Sequence, residues 1–452
     1  MRTLVSFCFL LSVFGFSYAQ CPENEREKMI IVSHFSFVPH LSMYIDAKAN
    51  DNIDCTVISV DSTDNFTSIK TKIDDLYANF TADFLLLVGD NEHIPAYKIE
   101  EGLSDIHYTF DSKNNPRMCV GRFSVETTQD LQTMIDRSLM RKLFSKHAVG
   151  IGSYHKSELT QKRDYEQVHL MNEQLLSKGF TSVSELFSGS PSGNPSYQDV
   201  ITALQSGASW LNYAGYGSYD GWNTTGFETK HIDSLPDNVE LPIIFSASCL
   251  GGHFANRTCF AEKWLRSTKN GNPVGAVAAV MSSSLTDWDA TLSAMLSICE
   301  NVPAAHSNCR LGNLHLQGYR YIIDSMQCPK DAQCWILFGD PSLWVYPPSE
   351  NNISENEIHT PQLVVYPNPT TGKITIESDK VYKVEGDKVY KVESDKVYKV
   401  KSVEIYDVIG NLLQSKIVNL QSEIEIDISG LSAGLYFLKV DNKVIKVVKQ
   451  RF

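Results

Sequence analysis

A chain of 452 residues that is 42% apolar and 21% charged is long enough for more than one hydrophobic core and too apolar to stay disordered. Its formal charge of -13 excludes nucleic acid and anionic membrane surfaces as main partners. After the first residues no apolar run reaches the ~20 residues of a membrane span, so no transmembrane helix is expected in the mature protein.

Residues 1–19, MRTLVSFCFLLSVFGFSYA, join one arginine, an apolar run and a Ser-Tyr-Ala end, the pattern of a secretory signal peptide cut before Gln20. Nine of the ten cysteines remain after cleavage, which in an oxidising compartment allows four disulfides and one free thiol. Cys328 with Cys334 and Cys299 with Cys309 are near enough in sequence to pair, although spacing alone does not decide connectivity.

Strands then alternate with helical stretches. KMIIVSHFS, CTVISV and FLLLV read as buried strands, the last ending in Gly89-Asp90. A hairpin or long loop precedes a strand at Cys119–Phe123, and a helix follows, capped near Thr127 and Thr128. The pattern restarts at His147 with HAVGIGS, a helix from about Thr160 to Lys178, strands at Ser182–Phe187 and Ser209–Ala214, and a helix at Tyr197–Gln205. After LPIIFSA come a helix in CFAEKWLRSTK, a strand at Val274–Met281, another helix and a last strand, WILF. Such alternation predicts a parallel sheet with helices on both faces, in two α/β subdomains, 20–145 and 146–347.

Residues 348–361 have linker composition, and the character of the chain changes from Gln362. Residues 362–452 carry a net charge of +2 against -15 for the rest, and their alternating β-branched runs predict a small β-sandwich. Within it SDKVYKVE, GDKVYKVE and SDKVYKVK repeat over 378–401, too few and too short for a solenoid, and read as an expanded hairpin insert.

The chemistry-bearing stretch runs from Trp210 to Phe260. Two apolar runs each end in small residues, as buried parallel strands do where they deliver a reactive loop. Cys249 stands at the tip of the second, where it is either a nucleophile or a buried structural cysteine, and Tyr216 stands at the tip of the first. A thiolate nucleophile needs a proton carrier, which histidine supplies because its pKa lies near neutrality. Backbone N–H groups from Gly215 to Gly217 and the Cys249 turn would serve an oxyanion.

The segments FLLLVGDNEHIPAY, SDIHY with VGRFSVETTQDLQTMIDRSL, LNYAGYGSYDGW, SCLGGHF with CFAEKWLRSTKNGNPVGAVAAV, and WILFGDPSLWV occur in that order between Lys28 and Tyr346. Together they resemble the gingipain family of secreted cysteine peptidases, which implies a caspase-like α/β domain in two subdomains. Residues 362–452, with YPNP, VEIYDVIGNLL and GLSAGLYFLKV, resemble the sorting domain of type IX secretion. That implies export by the type IX machinery to a secreted or cell-surface location, with a protein or peptide as ligand.

The family's nucleophilic cysteine matches Cys249, but its G-H-G-S segment reads Gly215-Tyr216-Gly217-Ser218, so Tyr216 takes the place of the general-base histidine. The resemblance therefore implies a peptidase homologue impaired or inactivated at Tyr216 and acting by binding, or else an active cysteine endopeptidase that recruits another histidine, His253 or His107. It also implies Asp105 as an acidic pocket residue, Trp288 as a pocket wall, no cofactor for catalysis, and a structural calcium, for which the loop Asp111–Asn115 offers oxygens without a calcium-loop signature. The α/β pattern begins at Lys28, close behind the cleavage site, with no room for a latency segment.

Overall fold

In the computed structural model, the apolar runs become the strands of one sheet. The structure describes residues 26–346 and 363–450, apart from 101, 141–144, 190–192, 206, 238, 305–308, 367, 379–381, 386–387, 392–399, 408–410, 422 and 441–442. The expected signal peptide and linker lie outside the described residues. Two compact units are present, 1–349 and 350–452.

The first unit is built on ten strands: β1 (Glu27–His34), β2 (Ile53–Val60), β3 (Phe84–Val88), β4 (Cys119–Phe123), β5 (His147–Gly152), β6 (Ser182–Phe187), β7 (Trp210–Ala214), β8 (Ile243–Ala247), β9 (Ala278–Ser282) and β10 (Trp335–Phe338). Their order across the sheet is β2-β1-β3-β4-β10-β9-β8-β7-β5-β6. Neighbours are parallel except β9 and β10, while β10 is parallel to β4 through the pair Phe338 and Arg122. The last strand of the unit is thus laid between the earlier halves, and β1 to β4 run opposite to β5 to β9.

Central strands bury both faces, so successive side chains feed two separate cores. From β8, Ile243, Phe245 and Ala247 enter one core and Ile244 the other; from β3, Leu85 and Leu87 enter the first and Phe84, Leu86 and Val88 the second. Helices 66–77, 164–177, 288–301 and 311–321 cover the first face, and helices 42–50, 128–140, 197–204 and 260–266 the second. Local chemistry sets their starts. Asn65 accepts from Ser68 N at 3.1 Å while Ser68 Oγ accepts from Asn65 N at 3.0 Å, a reciprocal cap. Thr127 Oγ1 likewise accepts from Asp130 N at 3.1 Å.

Two boundaries and one helix differ from expectation. The helix expected from Thr160 begins at Asp164, because residues 157–162 close a turn in which Ser157 N bonds to Lys162 O at 2.9 Å. The strand expected from Val274 begins at Ala278, since Gly275 has φ +98° and Val274 N and Ala276 N bond back to Ser267 and Trp264. The helix Leu311–Tyr321 was not anticipated.

The second unit pairs a three-stranded antiparallel sheet (363–366, 373–378, 423–427) with a four-stranded one (400–406, 412–421, 434–440, 443–449). Ile374, Ile376, Ile424 and Ile426 from one and Val403, Ile405, Leu438, Val440 and Val447 from the other share a core, the arrangement of a sandwich. Of the repeats, 382–385 pairs with 388–391 as an antiparallel hairpin, and most of the third copy lies outside the described residues. Among the described residues no helix is long and apolar enough to cross a membrane.

Candidate active site

β7 and β8 are parallel neighbours with Ala214 opposite Ala247, so Tyr216 and Cys249 stand at equivalent places, each two residues past the paired positions. Gly215 has φ +152°, and a Cβ there would lie 2.6 Å from Thr224 Oγ1 and 2.9 Å from Ser153 Cβ. Glycine is therefore required for the chain to leave β7 at this angle. Tyr216 follows, 55% exposed, with its carbonyl accepting from Tyr213 Oη at 2.6 Å and Asn223 N at 3.0 Å. Gly217 packs directly on the nucleophile turn: a Cβ would lie 2.8 Å from Ser248 Cβ and Oγ and 3.2 Å from Cys249 O.

Cys249 is held by a tight turn. Gly251 N donates to Cys249 O at 2.8 Å across Leu250, whose φ is +64°. A left-handed non-glycine residue costs energy, and such positions collect where a fold must aim a side chain. The turn is tied to the end of β9 by Leu250 N to Ser284 O at 3.1 Å and Gly252 N to Ser282 O at 2.8 Å. Below it, Ser246 Oγ lies 2.9 Å from Ser248 Oγ and accepts from Trp222 Nε1 at 3.1 Å. The half-buried sulfur accepts from Thr286 N at 3.4 Å and lies 3.8 Å from Thr286 O. Among the described residues, no imidazole is hydrogen-bonded to it.

The histidines named as substitutes are engaged elsewhere. His253 Nδ1 donates to Ser283 O at 2.7 Å, and its ring meets Tyr219 edge-on with centroids 5.5 Å apart. His107 Nδ1 lies 2.9 Å from Ser104 Oγ and its ring stacks on Tyr97; burial lowers its pKa to about 4, so it is a weak base.

Asp105 does not present its charge to a pocket. It is 2% exposed and receives both Arg122 Nε at 2.8 Å and Arg122 Nη2 at 2.6 Å, an ion pair internal to the fold. Trp288 opens the helix Trp288–Asn301, and its side chain lies outside the described residues.

The expected disulfides are also corrected. All eight described cysteines after residue 25 are free, Cys299, Cys309, Cys328 and Cys334 among them. Cys299 Sγ accepts from Asn212 Nδ2 at 3.6 Å, and Cys328 Sγ donates to Met326 O at 3.3 Å. Burial pushes the Cys299 and Cys309 thiols up to about 12, the condition of inert core cysteines. The loop Asp111–Asn115, expected to offer oxygens to a structural calcium, is closed by hydrogen bonds of its own. Asp111 Oδ1 accepts from Lys113 N at 2.7 Å and Asn115 N at 2.9 Å, so the carboxylate closes its own turn. Among the described residues no cluster of three or more acidic, histidine or cysteine side chains is arranged around a metal position.

Three residues of the site escaped the sequence reading. Thr286 reaches Cys249 from a loop thirty-seven positions away. His155, past the end of β5, meets the Tyr216 ring edge-on with centroids 5.8 Å apart. Asp164, fully buried behind Gly215, accepts from Ser153 Oγ at 2.5 Å. Their only sequence signal was position: a loop following the carboxyl end of a strand, where α/β sheets collect ligands.

Comparison with known proteins agrees with this architecture. Residues 23–346 match the model of peptidase family C25, and residues 364–451 match that of the secretion system C-terminal sorting domain. Gingipain R2 of Porphyromonas gingivalis is 28% identical over 353 residues, 73% of this chain and 47% of that protein. Gingipain R1 of the same organism is also 28% identical over 353 residues, which cover 35% of its length. The chain thus spans about half the length of these relatives or less. The crystal structure of the Arg specific cysteine proteinase gingipain R superposes with a TM-score of 0.67 at 22% identity, covering 96% of this chain and all of that one. A second protease structure gives 0.62 at 17% identity, covering 93% of this chain and 97% of that one.

Proposed function

Because the chain belongs to peptidase family C25, we propose that it is a secreted member in which peptide hydrolysis is impaired by the phenol of Tyr216, and that it acts by holding a peptide at the carboxyl edge of β7 and β8. Its sorting domain makes the type IX secretion machinery its export partner and the cell surface or exterior its location.

The observation that carries the reading is the register of Ala214 with Ala247, by which Tyr216 and Cys249 follow the ends of neighbouring strands; we read the phenol as standing where a peptidase needs an imidazole. A phenol, with an ordinary pKa of about 10, does not become the cation that lowers a thiol's pKa and protonates a leaving amine at neutral pH. Loss of the base from residues that act as a unit costs several orders of magnitude in turnover.

The rest of the apparatus is in place, which favours retained binding over decay. Gly215 and Gly217 keep the close approach to Ser153 and Ser248, and Thr286 N still faces the sulfur. The proposed ligand is a peptide with a basic side chain, as the Arg specific relative takes.

Residues 20–360 incubated with arginyl and lysyl peptide substrates test this. Little turnover is expected from the wild type, with a rise of about 10²–10⁴-fold in Tyr216→His. Rapid wild-type turnover that disappears in Cys249→Ala would overturn the reading in favour of a working peptidase.

A further inference from the structure

The segment that follows Tyr216 encloses a cavity of ≈ 470 Å³, with Ser218, Asp220, Trp222, Asn223, Glu228 and Thr229 in its lining. Three short strands shape it: Gly217–Ser218, Gly221–Trp222 and Phe227–Glu228 form an antiparallel sheet with Ser218 opposite Gly221 and Gly221 opposite Glu228. Thr229 N donates to Asp220 O at 2.8 Å, which extends the pairing by one position and brings the two carboxylate-bearing residues to the same end of the sheet.

The cavity adjoins the candidate site through three of its lining residues. Gly217 packs on Ser248 and Cys249, and Ser218, the next residue, already belongs to the cavity wall. Asn223 donates its N–H to Tyr216 O at 3.0 Å. Trp222 is 2% exposed, and its Nε1 donates to Ser246 Oγ, which lies 2.9 Å from Ser248 Oγ. The wall of the cavity is therefore fixed to the turn that carries Cys249. Asp220 is exposed, and among the described residues no ion pair engages its carboxylate. Glu228 meets Lys230 at 2.5 Å, but both groups are exposed and such a pair is weak.

We propose that this cavity is a second subsite of the peptide site, taking the basic side chain of a residue next to the one held at Cys249, so that the favoured ligand carries two adjacent basic residues. The inference rests on the peptide-binding reading given above. The volume lies within the roughly 300–1,000 Å³ of ligand clefts, and a cavity with an unpaired carboxylate at its rim suits a cation that also donates hydrogen bonds. Residues of an extended peptide are about 3.3 Å apart, and a single residue, Gly217, separates the contact with Cys249 from the cavity wall, so the side chain that enters belongs to a neighbour in the peptide.

The test is calorimetric titration of the full chain with three short capped peptides: one with a single arginine, one with a second arginine before it, and one with a second arginine after it. One of the two dibasic peptides is expected to bind about tenfold tighter than the monobasic one, the lower end for a charged hydrogen bond. Asp220→Asn should lose that preference and keep the affinity for the monobasic peptide. Glu228→Gln is the second variant, with a smaller expected loss because Lys230 shares that carboxylate. Equal binding of all three peptides by the wild type overturns the subsite and leaves the peptide-binding reading standing, whereas no binding of any peptide overturns both. A preference undiminished in both variants places the second arginine elsewhere and overturns the subsite. Rapid hydrolysis of the peptides with the same tenfold preference in turnover, lost in Asp220→Asn, overturns the impaired-peptidase reading and supports the subsite.

Discussion

Replacing Asp105 by asparagine separates a structural carboxylate from a recognition carboxylate. Arg122 is wholly buried; besides Asp105 it donates to Gly89 O at 2.8 Å and Ile94 O at 3.0 Å, and it packs over the Phe254 ring. Asp105 carries the counter-charge and raises the Arg122 pKa against the opposing effect of burial. Asparagine keeps one acceptor and removes the charge, leaving a buried guanidinium uncompensated, at a cost of about 3–5 kcal/mol. The midpoint of thermal unfolding should fall by roughly 6–15 °C, at about 2–3 °C per kcal/mol for a unit of this size. Calorimetry on Asp105→Asn gives the number, and peptide binding well below the midpoint gives the control, which should match the wild type. A melting curve like that of the wild type with weakened binding of basic peptides would refute the reasoning and return Asp105 to a pocket.

Gly217→Ala places a methyl 2.8 Å from Ser248 and should cost about 1–3 kcal/mol in urea unfolding; an unchanged midpoint would mean that the two tips are not in tight contact. Leu250→Gly removes a left-handed leucine and should stabilise by about 0.5–1 kcal/mol after the greater entropy of glycine in the unfolded chain is subtracted, whereas destabilisation would show that the turn is unstrained. His315 is buried with its pKa lowered to about 4, chiefly by desolvation, while Nε2 donates to Trp335 O at 2.7 Å. The unfolded chain therefore binds the proton more readily, and a contribution on the order of 3 kcal/mol, present above pH ~6.5, is lost as the pH falls toward 4. His315→Gln should flatten stability against pH in that window, and an unaltered slope would assign the effect to other groups.

Much of the fold was legible because buried strands announce themselves by run length and by their small terminal residues. FLLLV, WLNYA and IIFSA are strands for that reason, and Cys249 and Tyr216 were visible at their tips. The helix Leu311–Tyr321, which was not anticipated, contains Gly312 and Gly318, residues of low helix propensity. In the structure they mark close packing: a Cβ at Gly312 would lie 2.6 Å from Cys119 Cβ, and one at Gly318 would lie 2.8 Å from Trp335. The reach of Asp105 to Arg122 was equally hidden, since a carboxylate before IHY looks the same whether it meets solvent or a buried cation.

By itself the sequence determined the alternation of strand and helix and the boundary in composition near residue 362, because each follows from residues close together in the chain. Only the tertiary structure decided the insertion of β10 between β4 and β9, the free state of the described cysteines, Thr286 at the sulfur and His155 against Tyr216. These are contacts between segments far apart in sequence, set by strand order and close packing, and no local pattern of residue types encodes them.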